Sequence, residues 1–483
     1  MSASPAAADL CYLDATALAA LIRSREVSPV EVVRALKERA AELNPQLNAI
    51  VAWAPAAEAQ ALAAERALAP GGAAAGGGAD ALGPLHGVPF TVKDTLDVGG
   101  LEVTRGSLLF KGTVAPRDAT AVARLRAAGG IVLAKTNTPE FALWWETGNR
   151  VHGTTNNPWA LERTPGGSSG GEAAALAAGL TPLGLAGDVG GSIRLPAHHC
   201  GVFGFKPSHG RVPLTGHFPA ALTRFMHVGP MARSARDCAL AFALTAGADG
   251  EDFHALPVAA PDVAAALAGA PLPALRVALL PDTGFGPVDE SIAAAVREAG
   301  AALAALGCAV EEVEAPWLAA TDWNTLTMLL YGSEGRPYFQ ALTAGREEEL
   351  HYILARRLGA PAAPLDDYVA AEAAVEHLRA DATRFFAAYD LLVCPTTPVA
   401  APHHEEPLLR VAGQEVHSRG IMRATLPWDL TGQPALAAPW GFDGDGLPLG
   451  VQLVGARLAD ATVLHAGVAL DAVRPAREVH PDL

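Results

Sequence analysis

Short runs of consecutive apolar residues, alternating with segments of helical periodicity, set the tightest limit on how this chain can fold. Leu85 to Asp94, Gly130 to Lys135, Leu275 to Leu280 and Tyr389 to Cys394 do not alternate polar and apolar residues as a strand with one wet face would. Runs of this kind are strands buried on both sides. Between them, Ala119 to Ala128, Glu172 to Gly179 and Ser291 to Leu306 read as helices. Helix followed by strand predicts an α/β fold, with a sheet covered by helices on both faces.

The first sixty or so residues read as helices. Ser28-Pro29-Val30-Glu31 has the spacing of a capping box with proline at the first helical position, and Val32, Val33, Leu36 and Ala40 then share one face. Pro70 to Gly83, with Gly76-Gly77-Gly78, breaks all periodicity and reads as a flexible loop. It lacks the preceding strand and following helix start that a phosphate loop needs. Patterning is weakest from His217 to Gly345, where insertions that shape a pocket are expected. No internal repeat occurs.

Charge and composition exclude several classes. Acidic side chains number 51 against 35 basic ones, a net charge of −16, and no Lys/Arg face suited to phosphate is evident, which argues against nucleic acid as a partner. The acidic surplus is thinly spread and serves solubility. Cys11, Cys200, Cys238, Cys308 and Cys394 are scattered, as buried thiols in a reducing compartment would be. Met1 to Asp9 has no feature of a signal peptide, and the most apolar stretch, Ala173 to Gly187, contains Pro182 and is too short to span a bilayer. A cytoplasmic setting is expected.

The chemistry concentrates in two glycine-serine segments, Thr164 to Glu172 and Gly187 to Arg194. Each alone would pass for a tight turn. Together they can expose a serine and converge backbone N–H groups on an anion. No G-x-S-x-G elbow surrounds Ser192, and no S-x-x-K pattern is present. The remaining base is a lysine from a separate strand. Lys93 follows the apolar run Val88 to Val92, where burial would drive it toward the neutral amine.

Three segments together resemble the amidase signature family: GPLHGVPFTVKD around Lys93, PGGSSGGE around Ser168 and GDVGGSIRLPAHHCGVFGFKPSHGRV around Ser192. The intervals between the three residues match that family's pattern. CPTTP at Cys394 to Pro398 and the segment Leu430 to Gly455 resemble its C-terminal half. The resemblance implies the amidase signature fold, an α/β/α arrangement with a large mixed central sheet. It also implies one domain over residues 1–483: a helical part at 1–68, core motifs at 84–215, a variable part at 217–345 and a C-terminal part at 346–483.

The same resemblance implies a Ser–cis-Ser–Lys triad, with Ser192 as nucleophile, Ser168 as bridge after a cis peptide from Gly167, and Lys93 as base. Backbone N–H groups of Val189, Gly190, Gly191 and Ser192 would form the oxyanion hole. Asp188 and Arg194 would support the loop, and Ser169 would be a structural hydrogen-bonding neighbour. Trp144 and Trp145 fall where relatives line the acyl pocket, with core packing an equal alternative. His198 and His199 are expected to pack, and His403-His404-Glu405-Glu406 to lie at the surface. No metal or organic cofactor is implied.

Glutamine-using relatives carry an acidic residue at the position of Met422, seven before Asp429. An apolar thioether cannot pair an ammonium group, so glutamine is disfavoured. Trp144, Trp145 and Met422 together imply a bulky apolar site for a small aryl or alkyl amide. The alternatives are carbamate or ester hydrolysis, the glutaminase component of an amidotransferase complex, and a binding subunit without catalysis. A homodimer is the one self-assembly left open.

Overall fold

The computed structural model describes residues 7–69, 82–282 and 284–483. The loop expected at Pro70 to Gly83 lies outside them except for its last two residues, as do the first six residues of the chain.

Fifteen strands are present among the described residues: β1 Ile50–Trp53, β2 Pro89–Lys93, β3 Ile131–Thr136, β4 Gly148–Asn149, β5 Gly153–Thr154, β6 Leu183–Asp188, β7 Phe203–Lys206, β8 His227–Ala232, β9 Arg276–Leu279, β10 Ala309–Glu312, β11 Leu391–Pro395, β12 Leu408–Val411, β13 Gln414–His417, β14 Ala435–Phe442 and β15 Pro448–Gly455. Eleven of them form one sheet in the order β1-β3-β2-β6-β8-β7-β14-β15-β11-β9-β10, and the others pair as the hairpins β4–β5 and β12–β13. The sheet is mixed. β3, β2 and β6 run parallel, as do β11, β9 and β10, with antiparallel pairs between the two groups.

The apolar runs are strands because both of their faces are covered. Every residue of β2, β3, β6, β8, β11 and β15 is buried. Along β14 the side chains alternate between cores, as the two-residue period of a strand demands. Leu436 and Ala438 join a core with Leu464 and Phe242, whereas Ala437 packs with Ala197, Ile193 and Leu176. Helix Gly170–Ala177 is buried all round, with Ala174 and Ala175 in the first core and Ala173 and Leu176 in the second. Alanine suits that position, since small side chains let a helix sit between packed layers.

Helix Pro29–Leu47 starts as the sequence predicts. Ser28 Oγ accepts from Val30 N–H at 3.0 Å and Glu31 accepts from Ser28 N–H at 2.8 Å. Val32, Val33, Leu36 and Ala40 are all buried. The helical reading of the first sixty residues needs correction at β1, where Ile50 to Trp53 pair antiparallel with β3 and complete one edge of the sheet. A four-residue strand between two helices has too few residues to show a period.

The weakly patterned segment is part framework and part cavity wall. It supplies β8, β9 and β10 to the main sheet, so most of it is framework. It also borders the cavities described below, through His217, Leu222 and Met226 and through helix Trp323–Thr343.

Candidate active site

Parallel neighbours β2 and β6 pair Thr91 with Gly184 and Val92 with Leu185, so both strands end on the same side of the sheet. Lys93 is the last residue of β2, and Asp188 is the last of β6. The carboxyl ends of such strands are where open α/β sheets place their ligand sites. β6 runs directly into the loop 189–193, and the other glycine-serine loop ends beside it at the start of helix Gly170–Ala177.

The two loops bring three of the sequence's candidates together. Lys93 Nζ lies 2.6 Å from Ser168 Oγ and 2.9 Å from Ser169 Oγ. Lys93 and Ser168 are each 1 % exposed, whereas Ser192 is half-buried and reachable. Lys93, Ser168 and Ser192 line one narrow pocket, together with His217 and Met226. The Gly167–Ser168 peptide is cis. Ser169 is more than a neighbour: it is a direct partner of the lysine, and its N–H also donates to Ser192 O at 3.2 Å.

Burial pushes Lys93 down from its ordinary value of 10.5 to about 7, against the opposing pull of Asp188 and Glu172. Glu172 closes the PGGSSGGE segment, and nothing in the sequence assigns it a role. Its carboxyl accepts from the Thr91 hydroxyl and, at 2.7 Å, from the Thr136 hydroxyl. Burial pushes it up to about 7, so both groups beneath the serines sit near neutrality. The Ser169-x-x-Glu172 spacing resembles a capping box, yet Glu172 turns inward under the sheet.

The loop that carries Ser192 is pinned from behind. Asp188 accepts from Gly191 N–H (2.5 Å), Ile193 N–H (3.0 Å) and Arg194 Nε (3.0 Å). Gly191 has φ +117°, and a Cβ there would meet Thr425 Oγ1 at 2.4 Å, so only glycine fits. This corrects one expectation, since the Gly191 N–H is already committed to Asp188. No protein acceptor among the described residues takes the N–H of Val189, Gly190 or Ser192. Tyr331 donates to Val189 O at 2.5 Å, and peptide planarity then turns Gly190 N–H away from that tyrosine.

Arg194 spends its remaining donors on Gln452 Oε1 (2.8 Å), Thr425 O (2.9 Å) and Asp429 Oδ2 (2.8 Å). Burial raises Asp188, but Arg194 and Lys206 outweigh it and hold that carboxyl well below the usual range. Asp429 goes the other way: burial first, then the Asp188 charge, push it well above its ordinary value despite Arg194. An asparagine at this position would still offer Arg194 a carbonyl oxygen as acceptor. Asp429→Asn is therefore expected to keep kcat/KM within about threefold and the melting temperature nearly unchanged. A loss beyond about tenfold, measured on any amide the protein turns over, would mean that Asp429 is ionised.

A wide cleft of about 1210 Å³, counted out to its open mouth, adjoins the narrow pocket and shares Ser192 and Val189 with it. Trp144, Trp145 and Met422 all border it. Trp145 is also core, packed with Leu195, Val399 and Ile421. His198 and His199 are buried, with His198 Nδ1 3.1 Å from Gly450 O, and burial pushes both down. His403 is exposed and His404 half-buried, its Nδ1 4.0 Å from Glu146.

The sequence pattern of the amidase family matches residues 31–464. The chain is 36% identical over 475 residues to the A component of the glutamyl-tRNA(Gln) amidotransferase of Roseiflexus castenholzii, covering 93% of each. It is 34% identical over 484 residues to an acylamidase of Rhodococcus erythropolis, covering 98% of each. Among solved structures it resembles a bacterial aryl acylamidase of the amidase signature enzymes, with TM-score 0.85, 27% identity and 96% of each chain covered.

Proposed function

The chain belongs to the amidase family, that of the amidase signature enzymes, and from this premise we propose that it hydrolyses the C–N bond of a linear carboxylic amide through an acyl-enzyme on Ser192. One observation carries the reading. A buried lysine held near neutrality reaches Ser168 at 2.6 Å, in the same pocket as the half-buried Ser192.

In the proposed reaction Ser192 Oγ forms a bond to the amide carbonyl carbon. Its proton passes to Ser168 Oγ as the Ser168 proton passes to the lone pair of neutral Lys93. The carbonyl oxygen takes up the negative charge and accepts from the uncommitted N–H groups of Val189, Gly190 and Ser192. Each such donor contributes about 2.7–4 kcal/mol to the transition state in comparable sites. Collapse breaks the C–N bond, and the leaving amine takes the proton back along the same relay. Water then repeats the cycle on the ester.

Two relatives point to different substrates, and the lining of the cleft supports a simple amide over glutamine. No Asp or Glu lines it among the described residues, and Met422 borders it. A free amino acid such as glutamine would find no anion there for its ammonium group. An aryl or alkyl amide would find Trp144, Trp145 and Met422. The test is a panel of anilides, primary aliphatic amides, carbamates and glutamine with product identification. Hydrolysis of anilides or simple amides is expected; ammonia from glutamine with no anilide turnover would overturn the reading.

A further inference from the structure

We propose that the cleft selects amides carrying a carboxylate away from the scissile bond, held by Arg336, Arg357 and Arg419. The inference rests on the amide reading above and adds the charge of the substrate.

The three arginines come from three elements: helix Trp323–Thr343, helix Tyr352–Gly359 and the 3-10 turn Ser418–Met422. All are half-buried and border the wide cleft, and none borders the narrow pocket with Lys93. Arg357 and Arg419 each place their guanidinium 5.8 Å from the Trp144 ring centroid.

None of the three has a carboxylate within 4.0 Å among the described residues, although Arg224 is paired twice, to Glu334 and Glu372. The Nε atoms of all three, and Nη1 of Arg336, are buried without an acceptor. Arg419 Nη1 finds only the Met328 sulfur, a weak acceptor. Burial, then Arg419 and Arg356, push Arg357 down to about 9, the direction expected of crowded cations without an anion.

Exposed arginines need no partner, because water solvates them. Half-buried guanidiniums that border one apolar cleft, two of them at the same tryptophan ring, are different, particularly in a chain of net charge −16. Their forked N–H donors match the two oxygens of a carboxylate. The apolar lining between them and Ser192, including Trp144 and Met422, suits the body of the substrate.

The experiment is calorimetry on the full-length Ser192→Ala protein with 4-phenylbutyrate and its uncharged counterpart 4-phenylbutan-1-ol. The acid is expected to bind at least about tenfold tighter at low ionic strength, with the advantage shrinking as salt is added. Arg357→Gln and Arg336→Gln, made separately in that background, are expected to remove most of the advantage. Equal affinity for acid and alcohol overturns the proposal, and this comparison decides even if an arginine variant fails to fold. The substrate panel is read separately on the unaltered chain. Amide turnover without acid preference removes the arginine site alone. Acid preference without turnover of any amide removes the amide reading and leaves the carboxylate site standing.

Discussion

Ser192→Ala is expected to lower kcat for a hydrolysed anilide by about 10⁴-fold or more, the scale seen when a hydrolase loses its nucleophile. The melting temperature is expected to stay within a few degrees. The physical reason for the contrast lies in the loop. Ser192 Oγ makes no hydrogen bond among the described residues, whereas the loop's conformation is held by Asp188, Arg194, Thr425 and Tyr331. Removing one hydroxyl leaves those supports intact. A fluorophosphonate probe followed by peptide mapping provides the direct readout. Label on Ser192 in the native protein and none in the variant is the expected result. Label on Ser168 or Ser169 instead, or undiminished turnover by the variant, would displace Ser192 from its proposed role.

Lys93→Met separates chemistry from folding in the opposite sense. The methionine fills a similar volume in a site that is 1 % exposed, and it removes the cost of burying an amine. With the native group at about 7 and its ordinary value at 10.5, the unfolded chain binds more protons than the folded one between these limits. This residue's contribution to stability therefore rises with pH through that window. Lys93→Met is expected to be at least as stable as the parent at neutral pH and to lose that pH dependence. Its kcat/KM is expected to fall by about 10³–10⁴-fold, the scale of a lost general base. In the parent, kcat/KM is expected to climb about tenfold per pH unit below about pH 7 and to level off above it, as Lys93 loses its proton. A profile flat from pH 5 to 8, or a variant with parental kinetics, would remove Lys93 from the proposed relay.

Much of the sheet was legible because its strands are continuous apolar runs, and a strand buried on both faces leaves no other signature. β2, β3, β9 and β11 fall within a residue or two of those runs except at the start of β2, where Leu85 to Val88 form a turn before the strand. β1 was not legible, since pairing with β3 decides its conformation and that partner lies some eighty residues downstream. Lys93, Ser168 and Ser192 stood out because glycines cluster round the serines and the lysine ends an apolar strand. The capture of Gly191 N–H by Asp188 was invisible, because it depends on how one loop turns back on its own strand. Arg336, Arg357 and Arg419 were equally silent. Each is an ordinary arginine in its own segment, and only the packing of three elements around one cleft makes them a group.

The bonds of Arg194 tie the loop that carries Ser192 to residues made long after it. Thr425, Asp429 and Gln452 stand 231, 235 and 258 positions further along the chain. During synthesis the loop emerges from the ribosome well before any of these anchors exists. A nascent chain shorter than this carries its serines, its lysine and its glycine turns, but Arg194 has only Asp188 to hold. The setting of this loop is thus a late product of assembly, completed once the last two strands of the sheet are in place. A half-made polypeptide is unarmed by the order in which its residues appear.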